Sequence, residues 1–365
     1  MRKVGIITFH HARHSYGAAL QAYATVRVLE NMGLEAELIN YENKYEQTEL
    51  KIKHQNIIEK IYLVINWIVR MFLFKGCKDP VRKKKNLDAF YKYVSKKKYN
   101  TIEELKNTDY EILLAGSDQI WNPEVTGGID RGFLLDFGTP KKRVSYASSV
   151  GSHVFSSEEL NTYKRMLERF NSISVREKYA ANLLQSSCKT NIKVVCDPTL
   201  LLTGDQWRKE FEKEMSSFNA STPYILTYFV GGNIELYWDR IEKYITQLNL
   251  PIYNIQSHSK KYKHVNKAIY NIMPEKLVTY ISNARVILTD SFHGTAFSIN
   301  LNRNFVAVIN KTNPVRVQSL LESVGLQERE DARLHEYSDI EYSNVNKKLN
   351  EIRNDSMEWL VNALR

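Results

Sequence analysis

Residues 4–41 read VGIITFHHARHSYGAALQAYATVRVLENMGLEAELINY. The run Val4 to Phe9 is apolar, rich in β-branched side chains and too short for a helix, so it predicts a buried strand. A loop holding Ser15-Tyr16-Gly17 follows, then a helical pattern from Ala18 to Asn31 that stops at Gly33, then a second strand from Glu35 to Tyr41. Strand, helix and strand in one short stretch form a βαβ unit, whose strands lie parallel.

The same alternation continues along the chain. Tyr110 to Ala115 predicts a strand running directly into Gly116-Ser117-Asp118, and Arg143 to Ser148, Ser172 to Val175 and Lys193 to Val195 predict three more. Between Pro198 and Pro223 the chain turns helical and polar, which marks a boundary between domains. A second alternation then runs through strands at Tyr224 to Val230, near Ile252 to Ile255, Arg285 to Thr289 and Phe305 to Ile309, with helices over 234–248, 274–283 and 294–302. The expected fold class is α/β: two doubly wound domains, 1–220 and 221–365, with a basic helical insertion at about 51–100. A last helix, from about Ile340 to Leu364, is free to pack on either domain. In such sheets ligands gather beyond the carboxyl ends of the strands, so a cleft between the two domains is the expected site.

The chain has 365 residues, 51 Lys+Arg against 41 Asp+Glu, and a formal charge of +10, which favours anionic partners. Nucleic acid is not expected, because no finger spacing, RNP-like run or basic zipper is present. Three widely spaced cysteines, Cys77, Cys188 and Cys196, fit neither a disulfide framework nor a zinc cluster. With no signal-like N-terminus, the expected location is cytoplasmic. The apolar stretch 57–74 is broken by Asn66 and Arg70 and falls short of the roughly 20 residues a spanning helix needs. It is expected to pack on protein, with peripheral contact at the inner membrane face as the alternative.

The strongest local chemistry lies in Arg285-Val286-Ile287-Leu288-Thr289-Asp290-Ser291-Phe292-His293-Gly294-Thr295. A strand that delivers polar residues into the first turn of a helix makes an anion site from free amides and the helix dipole. Ser291, Gly294 and Thr295 line its start, and His293 at its mouth can donate a proton. A purely structural alternative has Asp290 or Ser291 capping the helix.

Four further segments accompany this one. They are Ser117-Asp118-Gln119-Ile120-Trp121-Asn122, Ser174-Val175-Arg176-Glu177, Asp197-Pro198-Thr199-Leu200-Leu201, and the opening Gly5-Ile6-Ile7-Thr8-Phe9 with Tyr16-Gly17-Ala18 and Leu20-Gln21-Ala22-Tyr23. In this order they resemble the blocks of the polysaccharide pyruvyl transferase family, although Ser15 stands where that family usually has Asn. The resemblance spans about 1–325. It implies two Rossmann-like domains arranged as in B-type glycosyltransferases, phosphoenolpyruvate as co-substrate, a sugar acceptor, a pyruvate ketal product, and no further cofactor or metal. It also implies His293 as the acid and Arg176 as an anion ligand. Family members carry an arginine two residues before that histidine. Ser291 stands there in this chain, which leaves Arg285, Lys311 or Arg316 to supply the cation.

Elementary chemistry supports these roles. The C2 carbon of phosphoenolpyruvate becomes electrophilic only when C3 is protonated, while cations hold its carboxylate and phosphate. A guanidinium such as that of Arg176 offers a bidentate fork for either group, though a surface pair with Glu177 would also account for it. Asp118, Gln119 and Asn122 suit sugar hydroxyls, the Trp121 indole suits a pyranose face, and Asp118 suits a general base. Asp118 as a mere helix cap is the alternative. Tyr16 and Gly17 are expected on the same wall, and Asp197-Pro198 reads as a turn. The acceptor is expected to be a surface glycan or its lipid-linked precursor. Two other functions stay open: a nucleotide-sugar glycosyltransferase on the same frame, and a non-catalytic glycan-binding subunit.

Overall fold

Short apolar runs separated by helical crossovers bury both faces only when they assemble into a covered parallel sheet. The computed structural model describes residues 2–10, 15–43, 45, 92–186, 188–220, 222–230, 232–256, 260–270, 272–310 and 314–365, and contains two such sheets. The first comprises β1 (Lys3–Ile7), β2 (Glu35–Tyr41), β3 (Val94–Tyr99), β4 (Ile112–Ala115), β5 (Lys142–Ser148), β6 (Ser172–Val175) and β7 (Ile192–Val194). Its order is β3-β2-β1-β4-β5-β6-β7, with every pair parallel. The second comprises β8 (Ile225–Tyr228), β9 (Ile252–Gln256), β10 (Lys267–Tyr270), β11 (Val286–Thr289) and β12 (Asn304–Ala307), in the order β10-β9-β8-β11-β12, again all parallel. In each sheet the winding reverses once, between β1 and β4 and between β8 and β11. Those two reversal points are where a doubly wound sheet opens a crevice at its carboxyl edge.

Two strands depart from the sequence expectation. Val94–Tyr99 falls in the region expected to be helical, yet it forms one edge of the first sheet. Lys267–Tyr270 forms one edge of the second and has no counterpart among the expected elements. Both expose lysines at a sheet edge, where charge blocks pairing with another chain and hides the apolar pattern. Residues 51–91 of the basic insertion, with the 57–74 stretch and Cys77, lie outside the described residues. Among the described residues no helix is long and apolar enough to cross a membrane.

The two sheets share one apolar core. Leu20, Leu114, Val144, Trp207, Leu226, Phe297 and Leu349 belong to a single buried cluster. The segment after β7 is wedged into it. Asn300, at the end of helix Phe292–Asn300, donates to Thr199 O at 3.0 Å and Leu202 O at 2.8 Å, and Trp207 Nε1 donates to Thr199 O at 2.8 Å. The final helix, Tyr342–Leu364, returns to the first sheet. Its Ser356 Oγ accepts from Cys196 N at 3.0 Å, and the Trp359 ring lies 6.3 Å from that of Tyr146. From the same helix, buried Arg353 donates to Leu200 O at 2.6 Å and to Asn300 Oδ1 at 3.1 Å.

Arg353 therefore ties three segments that are remote in sequence. Arg353→Met should leave both acceptors without a donor and lower stability by about 2–4 kcal/mol. The urea midpoint should fall with an unchanged m-value; an unchanged midpoint would show that the bridge contributes nothing.

Candidate active site

A carboxylate removed from water stays ionised only if donors replace its hydration. Asp197, 1 % exposed, has four such donors. Its Oδ1 accepts from Thr199 N at 2.9 Å and Thr199 Oγ1 at 2.7 Å; its Oδ2 accepts from Ser117 Oγ and Arg176 Nη1, both at 2.8 Å. Burial alone would raise its pKa. His293, Arg176 and the Thr199 hydrogen bonds outweigh that and hold it at about 2. The turn reading of Asp197-Pro198 is correct as far as it goes, since Asp197 caps the short helix Pro198–Leu201. It misses the second carboxylate oxygen, which is the hub of the site. The available signal was position: Asp197 follows a strand at the carboxyl edge of a parallel sheet, where ligand-binding groups gather.

Arg176 follows β6 and is buried, so the surface-pair alternative does not hold. Its Nε donates to Glu177 Oε1 at 2.9 Å, Nη1 donates to Asp197, and its guanidinium lies 4.3 Å from the centre of the Phe292 ring. Burial opposes its charge, but Glu177, Asp197 and Asp118 more than offset this and raise its pKa. Its Nη2 is buried and makes no hydrogen bond. Behind the pair runs a relay that begins on the first helix, Tyr16–Asn31: Gln21 Nε2 donates to Thr8 Oγ1 at 3.0 Å, and Thr8 Oγ1 donates to Ser117 O at 2.6 Å.

His293 occupies the first turn of helix Phe292–Asn300, which enters directly from β11. The cap is Ser291, whose Oγ accepts from Gly294 N at 3.3 Å. Asp290 faces elsewhere, accepting from Val230 N at 2.7 Å and from Tyr237 OH at 2.6 Å. The His293 ring lies against Gly17, where a Cβ would come within 2.0 Å of its Nδ1. Its Nε2 is buried, makes no hydrogen bond, and lies 3.8 Å from Asp197 Oδ2. Burial lowers the His293 pKa; Asp197 and then Asp118 pull it up, Arg176 and Arg316 push it down, and the net direction is down.

Arg316, on helix Val315–Val324, completes the group. Its Nη1 lies 3.9 Å from Asp118 Oδ1, and its Nε is buried without a hydrogen bond. Burial first, then Arg176, lowers its pKa. Of the other two cations considered opposite Ser291, Arg285 sits at the far end of β11, bonded to Asp339 at 2.9 Å, and Lys311 lies outside the described residues.

Several expected roles need correction. Gly294 and Thr295 do not offer free amides: Gly294 N bonds the Ser291 cap, and Thr295 N and Oγ1 bond Ser291 O at 2.9 and 3.1 Å. Gly294 is instead required for approach, since a Cβ there would lie 2.4 Å from Thr289 Oγ1. Trp121 cannot stack on a sugar. It is fully buried, donates from Nε1 to Phe133 O at 3.1 Å, and meets Phe170 edge-on. Asn122 caps the short helix Pro123–Thr126 through Glu124 N at 3.0 Å, which leaves its amide bonded to Gln119 Oε1 at 3.0 Å. Asp118 is therefore not the cap. Its backbone sits at φ 77°, a left-handed conformation that aspartate tolerates, and this turns the carboxylate toward Arg316. Gln119 and Tyr16 remain partly exposed. Tyr16 and Gly17 lie on the second-sheet side of the crevice as well as the first, with Tyr16 6.3 Å from Tyr228. Among the described residues no cluster of three His, Cys, Asp or Glu side chains is placed to hold a metal ion.

The contact between Gly17 and His293 joins a helix of the first sheet to one of the second. Gly17→Ala should displace the imidazole and cost about 1–3 kcal/mol. An altered His293 side-chain NMR signal together with a lower melting temperature is the expected result; an unmoved signal would contradict the contact.

Comparison with known proteins agrees with this arrangement. Methanocaldococcus jannaschii UDP-GlcNAc 2-epimerase, in complex with UDP-GlcNAc and UDP, superposes with a TM-score of 0.53 at 16% identity over 99% of each chain. A glycosyltransferase from Rickettsia africae gives a TM-score of 0.46 at 10% identity, covering 100% of this chain and 99% of that one. The first likeness places the fold with two-domain, Rossmann-like proteins of the B-type glycosyltransferase arrangement. No curated protein matches the sequence significantly. The sequence profile described as polysaccharide pyruvyl transferase matches residues 16–312, a stretch that holds Gly17, Asp118, Arg176, Asp197 and His293, and the chain belongs to that family of transferases.

Proposed function

We propose that the protein transfers the pyruvyl group of phosphoenolpyruvate to a sugar of a surface glycan or its lipid-linked precursor, forming a cyclic ketal and releasing phosphate. The observation that carries this reading is the grouping of three buried nitrogen atoms without hydrogen bonds, Arg176 Nη2, Arg316 Nε and His293 Nε2, in one charge cluster. A buried donor left unmade costs about 1–3 kcal/mol, so three in one cluster are best explained as contacts kept for an anion. A compact donor bearing a carboxylate and a phosphate suits two guanidinium groups and a histidine.

Arg176 is already neutralised by Glu177 and Asp197. Arg316, held only loosely by Asp118, is the cation free to follow the phosphate, and it takes the place of the family arginine where Ser291 now serves as a cap. Donor charge arriving beside His293 favours its protonated form. The imidazolium then gives its proton to C3, which becomes the methyl group. A sugar hydroxyl attacks C2 and yields its proton to Asp118. The C2–O bond to phosphorus breaks with its electron pair leaving on phosphate, and a second hydroxyl closes the ketal. Of the two hydroxyl protons lost, one replaces that given to C3 and one leaves with phosphate. Gln119 and Tyr16, partly exposed on the crevice, suit the acceptor.

Phosphate release and pyruvate ketal formation, followed by mass spectrometry with phosphoenolpyruvate and galactose, mannose, glucose or N-acetylhexosamine glycans, test this directly. His293→Gln should lower turnover at least a hundredfold. Arg316→Met should raise the KM for phosphoenolpyruvate roughly ten- to hundredfold, the loss of one charge-assisted contact. Turnover of nucleotide sugars, with phosphoenolpyruvate inert, would overturn the reading.

A further inference from the structure

Asp197 is too fully engaged to be only a turn residue. Four hydrogen bonds fix its carboxylate, from Thr199 N, Thr199 Oγ1, Ser117 Oγ and Arg176 Nη1, so it cannot swing away when the crevice fills. The Oδ2 atom that carries two of them lies 3.8 Å from His293 Nε2. That nitrogen is buried and has no hydrogen bond, while the opposite ring nitrogen lies against Gly17. We propose that Asp197 is the positioning residue of the reaction: its fixed carboxylate orients the His293 ring and favours the imidazolium form inside a dry site. This rests on the reading of His293 as the proton donor.

The other groups around the ring do not substitute for it. Asp118 faces it from the loop after β4 but is shared with Arg316. Arg176, after β6, and Arg316, on helix Val315–Val324, both repel a proton on His293. The nearest tyrosines of the crevice are Tyr16, beside Gly17, and Tyr228, at the end of β8; burial raises the pKa of both, so they stay neutral. Asp290, just before the cap of the helix that bears His293, is directed to Val230 and Tyr237. Burial drives the imidazole toward its neutral form, and Asp197 is the largest influence acting the other way. An acid is active only while protonated, so turnover should fall as pH rises through the His293 pKa, and the loss of Asp197 should move that fall to lower pH.

The test is an NMR titration of His293 in the full-length protein without donor, its signal assigned by its absence in His293→Gln, alongside the pH profile of kcat. Asp197→Asn should lower the midpoint by roughly one pH unit, the effect expected of losing an opposite charge at this distance. The falling limb of kcat should move with it, so that turnover drops about tenfold at pH above the midpoint and recovers on acidification. Ser117→Ala should act in the opposite direction. With one donor fewer, Asp197 Oδ2 draws the His293 proton more strongly, and the midpoint should rise by a few tenths of a unit. If Asp197→Asn does not fold, the Ser117→Ala shift decides. A midpoint unmoved by the variants would overturn the proposal. A midpoint that moves in an enzyme inert toward phosphoenolpyruvate would sink the donor assignment and leave the pairing of Asp197 with His293 standing.

Discussion

The organising constraint of this molecule is a carboxylate without water. Asp197 must find all its hydrogen-bond donors within the protein, and they come from separate parts of the chain: Ser117 after β4, Arg176 after β6, and Thr199 beside it. Satisfying one buried charge thereby fixes the carboxyl ends of three strands of the first sheet relative to one another. His293, brought by β11 of the second sheet, closes the same cluster. A single side chain thereby meets a structural requirement and, in the proposed reaction, a chemical one.

The second sheet reaches that cluster because side chains are absent where it must approach. Gly17 lets the first helix touch the imidazole, and Gly294 lets the second-sheet helix start tight against Thr289. A methyl group at either place would collide with the atoms that define the crevice. The connecting segment is held from the other side by Asn300, Trp207 and Arg353, so the helix bearing His293 and the loop bearing Asp197 are braced as one unit. In the proposed reaction such bracing holds the proton donor in place, because orientation over a reacting carbon tolerates little error. Burial has an opposing effect, since it disfavours the charged imidazole, and the nearby carboxylates offset only part of it.

Much of the fold is legible in the chain. Central strands such as Val4–Ile7 and Val286–Thr289 are apolar on both faces and short, and each runs into a polar loop and then a helical period. Two of the four outer strands are not legible: Val94–Tyr99 has three consecutive lysines and Lys267–Tyr270 buries only Ile269, so neither carries the apolar signal of a covered strand. At the site, His293 and Arg176 stand out by residue type and position, and the structure brings both to the buried carboxylate of Asp197. Trp121 and Asn122 were legible only as residue types. An indole and an amide beside a crevice suit a sugar in principle, yet a turn of backbone places the first in the core and spends the second on a helix cap.

By itself the sequence determined the alternation of strands and helices, the parallel sheets that follow from it, and the identity of the histidine and arginine at the carboxyl edge. These follow from local periodicity and from side-chain chemistry, which a linear chain displays. Only the tertiary structure decided that Asp197 is a hub as well as a turn, that Arg316 joins its cluster while Arg285 lies at the far end of β11, and that Gly17 touches His293. Those are relations between residues far apart in the chain. They arise from the packing of two sheets around one buried charge, and no local pattern encodes them.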